Sequence, residues 1–302
     1  MSSPEFVRKA DPDEAFTLLA DENRVEILRA LWNGDHDAMA FSELREATGI
    51  RDSGQFNYHL DKLLGQFVAR SDDGYELTQA GHHVNGAIEA GAYTIEATME
   101  PMTLDDPCRL CGETRTFSYE DETVQVECPG CEMQSQFGVP PSVFLDCERA
   151  EIPAVAGEYL RKIIDHVNRG FCIYCDGHVD PRVSRVIPEE AHDEAREEMP
   201  EELVDRIGDI PIVTYECRRC GVEITSGLRL TFHNHPAVAG FFYDHDVDVR
   251  DVSLWEFATF LPDHERILGA DPFRASVSFE LDGDELTLVV DDELAVVNVE
   301  EA

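Results

Sequence analysis

Residues 41–63 have the sequence FSELREATGIRDSGQFNYHLDKL, which predicts two short helices joined by a tight turn. The first helix is expected over residues 43–48, with Ser42 as its cap, and it ends at Gly49. The second is capped by Asp52 or Ser53 and continues to about residue 64. Two helices joined in this way are typical of a helix-turn-helix, whose second helix enters the major groove of DNA.

The second helix is predicted to have two unlike faces. Helical spacing indicates that one face packs in a core, and this face comprises Phe56, Leu60 and Leu63. The opposite face comprises Gln55, Tyr58 and Lys62, with Asn57 beside it. Amide side chains can pair with adenine edges and an aromatic ring can pack on a thymine methyl group, so this face is the candidate DNA-reading surface.

The flanking sequence completes a winged helix. The predicted elements are helices over 13–20 and 22–33, strands over 67–70 and 75–78, and a helix over 79–96. The two strands are joined through Asp72-Asp73-Gly74, which is a hairpin-turn signal, so they form the wing. We therefore expect residues 1–98 to form a winged helix-turn-helix DNA-binding domain.

The stretch from Ala15 to Ile88 resembles an ArsR-type winged-helix transcriptional regulator. The resemblance rests on LLADENRVEILRAL, FSELREATGI and FNYHLDKL, and on the order of helices, turn and wing. It implies a homodimer that binds a palindromic operator in double-stranded DNA through the second helix. The metal sensors of that family carry cysteine in the segment that reads SELREAT in this chain, so their inducer site is absent.

The expected DNA-contacting residues are Ser53, Gly54, Gln55, Asn57, Tyr58, Lys62 and Arg70. The helical-wheel pattern adds Gln55 to this set, and the resemblance implies the other base contacts. Lys62 is either a phosphate contact or half of a surface ion pair. Arg70 is the expected wing contact, because the acidic tip, Asp72 and Asp73, would repel phosphate.

Eight of the nine cysteines form four Cys-x-x-Cys pairs. The pairs are Cys108/Cys111, Cys128/Cys131, Cys172/Cys175 and Cys217/Cys220. Two such pairs supply the four thiolates of a closed, structural zinc site, so two zinc ions are expected. Residues 112–127 predict a hairpin between the first two pairs, as in a zinc ribbon. The second two pairs flank a long insertion that includes the acidic stretch 189–202, so their pairing, and pairing across the two units, stays open.

Other interpretations of the cysteines are disulfides, redox motifs or iron–sulfur ligation. Disulfides are rare in the cytosol, and four redox motifs in one chain would be unusual, so zinc is favoured. His233 and His235 could replace a ligand but are expected to be loop or capping residues. Cys147 is expected to be a buried apolar residue, with a redox-sensing thiol as the alternative.

The chain has 302 residues, with 24 basic and 63 acidic side chains and a net charge of −39. An acid-rich surface of this kind resembles the composition of halophilic archaeal proteins, and an ordinary acidic protein is the alternative. The sequence lacks a long apolar run, so we expect a soluble, cytoplasmic protein without membrane contact. Residues 1–90 hold 8 Lys/Arg and 17 Asp/Glu, so DNA binding must depend on base contacts and shape rather than on counterion release.

Residues 99–302 are expected to form a mixed α/β domain that contains two zinc-ribbon-like units of four cysteines each, which makes the chain α+β overall. The predicted elements are a helix ending at Gly170, strands over 212–215 and 223–230, helices over 235–242 and 253–261, and strands over 275–281, 285–290 and 294–299. The aromatic residues expected in its core, or alternatively around a small-molecule pocket, are Phe241, Phe242, Trp255, Phe257 and Phe260.

This second half resembles an uncharacterised domain appended to such regulators in haloarchaea. The sequence offers no nucleophile–base pair, phosphate loop or open metal triad, so we do not expect an enzyme. The favoured function is a sequence-specific, DNA-binding transcriptional regulator whose zinc-containing domain senses a small-molecule effector or binds a partner. The alternative is a winged-helix and zinc-ribbon adaptor of the archaeal RNA polymerase machinery, since the order of domains also resembles archaeal transcription factor E.

Overall fold

The computed structural model describes residues 11–34, 38–108, 111–131, 134–187, 204, 208–257 and 264–302. The chain divides into two compact units, Met1–Ile95 and Glu96–Ala302. The division falls three positions before the boundary expected from the sequence. Within the described ranges, every helix is too short or too polar to cross a bilayer.

Where the structure describes it, the first unit is mainly helical with one small hairpin. Its elements are α1 (Pro12–Leu19), α2 (Glu22–Asn33), α3 (Phe41–Thr48), α4 (Ser53–Leu63), β1 (Val68–Arg70), β2 (Tyr75–Leu77) and α5 (Gln79–Glu89). The two strands pair antiparallel, as the hairpin signal predicts. Buried apolar residues of α2, α3, α4 and the hairpin form a single core, which includes Ile27, Leu44, Phe56, Leu60 and Val68.

Two helix boundaries in this unit were predicted wrongly. Helix α3 begins at Phe41 rather than after Ser42, because Glu43 accepts a hydrogen bond from the Ala40 N–H at 3.1 Å and so starts the helix earlier. Helix α5 ends at Glu89 instead of continuing to residue 96. The chain turns at Gly91, whose positive φ of 58° cannot continue a right-handed helix.

The described residues of the second unit form three antiparallel sheets. The first has the order β3 (Met99–Pro107), β4 (Thr114–Glu120), β5 (Thr123–Glu127), β6 (Gln134–Gly138). The second has the order β7 (Val179–Arg185), β8 (Pro211–Cys217), β9 (Glu223–Gly227). The third has the order β10 (Glu265–Ala270), β11 (Phe273–Leu281), β12 (Asp284–Val290), β13 (Val296–Glu301). The strands β6 and β9 therefore lie at sheet edges.

Helices join these sheets in one unit. The helices are α6 (Ile152–Asn168), α7 (Leu228–Phe232) and α8 (Pro236–Asp244), with short 3-10 turns at Pro141–Phe144 and Leu254–Glu256. Helix α6 buries a continuous apolar stripe that includes Leu160, Ile164 and Val167. Phe241, Phe242, Trp255 and Phe257 are buried in the cores, which confirms their predicted packing role, whereas Phe260 lies outside the described residues.

Two predicted elements of this unit differ from the structure. The strand predicted over 223–230 ends at Gly227, and α7 follows it. The N–H of Arg229 donates to Glu265 of β10 at 2.8 Å, a contact from a distant strand that the local sequence does not reveal. Of the helix predicted over 253–261, residues 254–256 form a 3-10 turn and residues 258–261 lie outside the described ranges.

Candidate metal centres and nucleic-acid interface

The eight paired cysteines lie in two clusters of four. In each cluster the four Sγ atoms are all within 4.8 Å of one another. The clusters are Cys108, Cys111, Cys128, Cys131 and Cys172, Cys175, Cys217, Cys220. Each cluster thus combines two consecutive Cys-x-x-Cys pairs, which settles the pairing that the sequence left open.

The first cluster lies at the end of the first sheet. One pair occupies the loop between β3 and β4, and the other occupies the loop between β5 and β6. The Cys108 and Cys131 sulfurs are 3.6 Å apart, and those of Cys111 and Cys128 are 3.4 Å apart. Four thiolates at about 2.3 Å from a tetrahedral zinc ion would have sulfurs about 3.8 Å apart. The cluster therefore has the size that a tetrahedral metal ion requires.

The second cluster joins α6 to the second sheet. One pair follows α6 and precedes β7, and the other connects β8 to β9. The sulfurs of Cys172 and Cys220 are 3.7 Å apart, and those of Cys175 and Cys217 are 3.6 Å apart. The segment between these two cysteine pairs includes β7 and β8. The long insertion predicted from the sequence therefore supplies two of the three strands of the second sheet.

Three of the cysteine loops have the same backbone hydrogen bonds. The first cysteine N–H donates to the carbonyl five positions later: Cys108 to Glu113, Cys172 to Gly177 and Cys217 to Val222, at 2.8, 2.8 and 2.9 Å. The fourth residue after that cysteine has positive φ in each loop: Gly112 at 76°, Asp176 at 51° and Gly221 at 71°. The loops therefore hold their thiols in place through the main chain.

Main-chain donors also favour the ionised form of one thiol in each cluster. The Cys220 N–H, assisted by that of Arg219 and opposed by burial, lowers the pKa of Cys217 to about 6. Burial raises the pKa of Cys128, but hydrogen bonds from Cys111 and from the N–H groups of Gly130 and Cys131 outweigh it and lower that pKa to about 7. Thiolate is the form that binds metal, so these donors suit a metal ligand.

The remaining candidate ligands lie outside both clusters. His233 is buried, and its Nδ1 is 2.7 Å from the carbonyl oxygen of Leu230. His235 caps α8 by accepting from the Ala237 N–H at 3.2 Å, which confirms its predicted capping role. Cys147 is half-buried rather than buried as expected, and its thiol donates to the Val143 carbonyl at 3.6 Å.

Helix α4 displays most of the residues predicted to contact DNA. It buries Phe56, His59, Leu60 and Leu63 in the core of the first unit. The exposed residues of the helix include Ser53, Gly54, Gln55, Asn57, Tyr58 and Lys62. Asp52 caps the helix by accepting from the Gln55 N–H at 2.7 Å, so Ser53 is the first helical residue rather than the cap.

Contacts within the first unit orient several of these side chains. The Asn57 amide donates to Asp61 at 3.0 Å, one turn along α4. The Lys62 ammonium lies 5.7 Å from the centre of the Tyr58 ring, which is 59% exposed. The contact with Asp61 was not predicted from the sequence, although residues four positions apart in a helix, such as Asn57 and Asp61, lie side by side on its surface.

On the hairpin, Arg70 is exposed at the end of β1. Its guanidinium lies 5.7 Å from the centre of the Tyr75 ring on the paired strand, and the register places these two residues opposite each other. The acidic tip, Asp72 and Asp73, is exposed beside it. The hairpin therefore carries one cation, Arg70, beside an acidic tip, as the sequence indicates.

Two family models match the chain. A model described as Domain of unknown function (DUF7347) matches residues 12–88, which include α1 to β2 and nearly all of α5. No curated protein matches the chain. The model described as Domain of unknown function (DUF7351) matches residues 105–296, which contain both cysteine clusters. Since this match covers more than half of the sequence, the chain belongs to the DUF7351 family.

Proposed function

We propose that the chain is a sequence-specific transcriptional regulator that binds operator DNA as a homodimer in the cytoplasm. In this proposal the first unit is a winged helix-turn-helix of the ArsR type. Helix α4 is its recognition helix, and the β1–β2 hairpin is its wing. The second unit contains two structural zinc ions and receives a signal or a protein partner.

The two-faced character of α4 carries this proposal. Four side chains anchor one side of the helix in the core, while Gln55, Asn57 and Tyr58 are exposed along the other side. Gly49 ends the preceding helix with a φ of 67°, and Asp52 caps α4 only three positions later. A short helix held in this way, with amide side chains exposed, has the form needed to enter a major groove.

The acidic charge of the first unit determines what kind of DNA binding is expected. Counterion release contributes little in concentrated salt, so affinity must come from hydrogen bonds to base edges and from shape. Asn57 can form a bidentate pair with adenine once it exchanges its bond to Asp61 for the base. Specific binding is therefore expected with little affinity for unrelated DNA.

Zinc is the metal that the donor set favours. Four cysteine thiolates in a closed tetrahedral arrangement are typical of structural zinc, and they leave no position for a catalytic water. The sulfur spacings of 3.4–3.7 Å support this assignment. When bound, the ions would hold the loops of the first two sheets in place.

A selection of binding sites from random duplexes in molar salt tests the proposal. We expect an enriched palindromic motif, bound by two chains per duplex. Asn57→Ala should relax the preference at one base in each half-site and weaken binding by about 1–3 kcal/mol. Arg70→Ala should weaken binding to all sequences alike. Arg29→Ala removes an equal charge from an exposed position of α2 and should leave binding unchanged.

Failure to enrich any motif from a zinc-loaded, folded chain would refute the proposal. Uniform occupancy of promoters together with co-purification of RNA polymerase would instead support an adaptor of the transcription machinery.

A further inference from the structure

A groove of about 430 Å³ lies in the second unit, between the edge strands of two different sheets. All residues of β6 line one side, and all residues of β9 line the other. The two strands belong to separate sheets, and each has a pairing partner on one side only. The groove is therefore bounded by two strand edges along their full lengths.

The main-chain groups of both strands point alternately into this groove. On β9 the bond from the Cys217 N–H to the Val222 carbonyl fixes the alternation of the β8–β9 ladder, so residues 223, 225 and 227 direct their N–H and C=O groups away from β8. On β6 the bond from the Val139 N–H to the Glu122 carbonyl fixes the same alternation for residues 134, 136 and 138. Among the described residues, neither β6 nor β9 pairs with a further strand on this outward side.

Apolar side chains also line the groove. Leu160, Ile163 and Ile164 come from α6, and Phe137 and Ile224 come from the two strands.

Tyr174, from the first cysteine loop of the second cluster, also lines the groove and is 72% exposed. Exposed aromatic residues beside an apolar depression are typical of protein-binding sites, where tyrosine is enriched.

The charge of the groove favours a basic ligand. Glu223 is the charged side chain among the lining residues, and it stands opposite Glu216 on the neighbouring strand, with both exposed. Like charges placed opposite each other in a sheet repel, so a ligand cation near this pair would relieve that repulsion. The second unit, residues 96–302, has 16 Lys/Arg and 46 Asp/Glu, so an acidic peptide at this groove would be repelled.

Each edge strand begins immediately after a cysteine cluster. Strand β6 starts at Gln134, three positions after Cys131, and β9 starts at Glu223, three positions after Cys220. The metal ions would therefore fix the starting points of both walls of the groove. Loss of either ion is expected to disturb the spacing of the two edges.

We propose that this groove binds an extended, basic segment of a partner protein, which adds as a strand beside β6 or β9. Main-chain hydrogen bonds from the two edges would hold the segment, its alternate apolar side chains would pack on α6 and Tyr174, and a lysine or arginine would approach Glu223. The proposal goes beyond DNA binding and does not depend on it, because it uses residues of the second unit alone.

Selection from a library of phage-displayed random peptides on the full-length, metal-loaded chain tests this inference. We expect the enriched peptides to alternate apolar residues and to carry Lys or Arg. A synthetic peptide of the enriched sequence, N-methylated at the residues whose N–H groups face a strand edge, should bind at least about tenfold more weakly. Methylation at the intervening residues should have a much smaller effect.

Two pairs of protein variants complete the test. Gln136→Pro and Thr225→Pro each remove one outward N–H without removing a bond of the existing ladder, and at least one should weaken peptide binding about tenfold. Gln136→Ala and Thr225→Ala keep the N–H and should bind like the unchanged protein. Circular dichroism and metal content identify any variant that has not folded.

Absence of enriched peptides would overturn the proposal. So would an enriched peptide that is insensitive to N-methylation on the unchanged protein, because ligand binding would then not use the strand edges. A preference for acidic peptides would equally contradict it.

Discussion

Replacement of Gly177 by alanine should weaken metal binding at the second cluster and leave the first cluster intact. A Cβ atom at this position would lie 3.0 Å from the Cys217 sulfur, 3.1 Å from the Cys175 sulfur and 2.9 Å from the Cβ of Arg219. Even two carbon atoms prefer a separation of about 3.5–4.0 Å, and sulfur is larger. The methyl group would therefore displace two ligand atoms from opposite halves of the cluster.

The size of the effect follows from the cost of overpacking. Adding a methyl group to a well-packed site typically costs about 1–3 kcal/mol. If that cost falls on the metal-bound state, the affinity of the second cluster should fall by about 5- to 150-fold. The first cluster offers an internal reference, because it shares none of the displaced atoms.

Competition with a chromophoric zinc chelator measures this change. The unchanged protein should release two ions, and Gly177→Ala should release one of them at a lower chelator concentration while the other release is unaltered. Gly240→Ala is the matched control, since apart from the adjoining backbone of α8 no atom lies within 4 Å of the added methyl group. Equal release curves for Gly177→Ala and the unchanged protein would refute the proposed metal geometry at this cluster.

Three further predictions concern metal content, pH and salt. Cys128→Ala and Cys217→Ala should each reduce bound zinc from two ions to about one per chain by elemental analysis, whereas Cys147→Ala should retain both. Hydrogen bonds to the Phe241 carbonyl and the Asp284 carboxylate raise the pKa of His245 in the folded state. These bonds stabilise the fold fully below the unfolded-state pKa of about 6.5, and the stabilisation is lost as the pH rises through the higher folded-state pKa. Asp284→Asn should accordingly flatten the dependence of unfolding free energy on pH over that interval. Lowering the salt concentration from about 1 M to about 0.1 M lengthens the electrostatic screening distance from about 3 to about 10 Å. Repulsion among the surface carboxylates should then unfold the chain, and an unchanged circular dichroism spectrum would contradict this expectation.

Local signals in the sequence predicted many helix and strand positions of the first unit and the eight cysteines that form the two clusters. Helix α2 has the predicted bounds, and Asp52 is one of the two predicted caps of α4, because apolar spacing and capping depend on residues close together in the chain. The same holds for the cysteine pairs, whose spacing alone indicates chelation. Which cysteine pairs share a cluster could be determined only from the structure, because β7 and β8 fold back on each other and so bring Cys217 beside Cys175.

The sequence did not predict strands β3, β6, β7 and β10. Strand β3 contains Pro101 and Pro107, and β6 has the polar sequence QSQFG, so neither has the alternation expected of a strand. Their register is set by pairing with β4 and β5, which are more regular. The groove between β6 and β9 was missed for the same reason.

The two cysteine clusters differ in the length of chain that each must close. Cys111 and Cys128 are 17 positions apart, whereas Cys175 and Cys217 are 42 positions apart. The longer loop adds an entropic cost of about 0.8 kcal/mol. During synthesis the first cluster is complete at Cys131, before any cysteine of the second cluster has been made, so we expect the first cluster to bind its metal ion first.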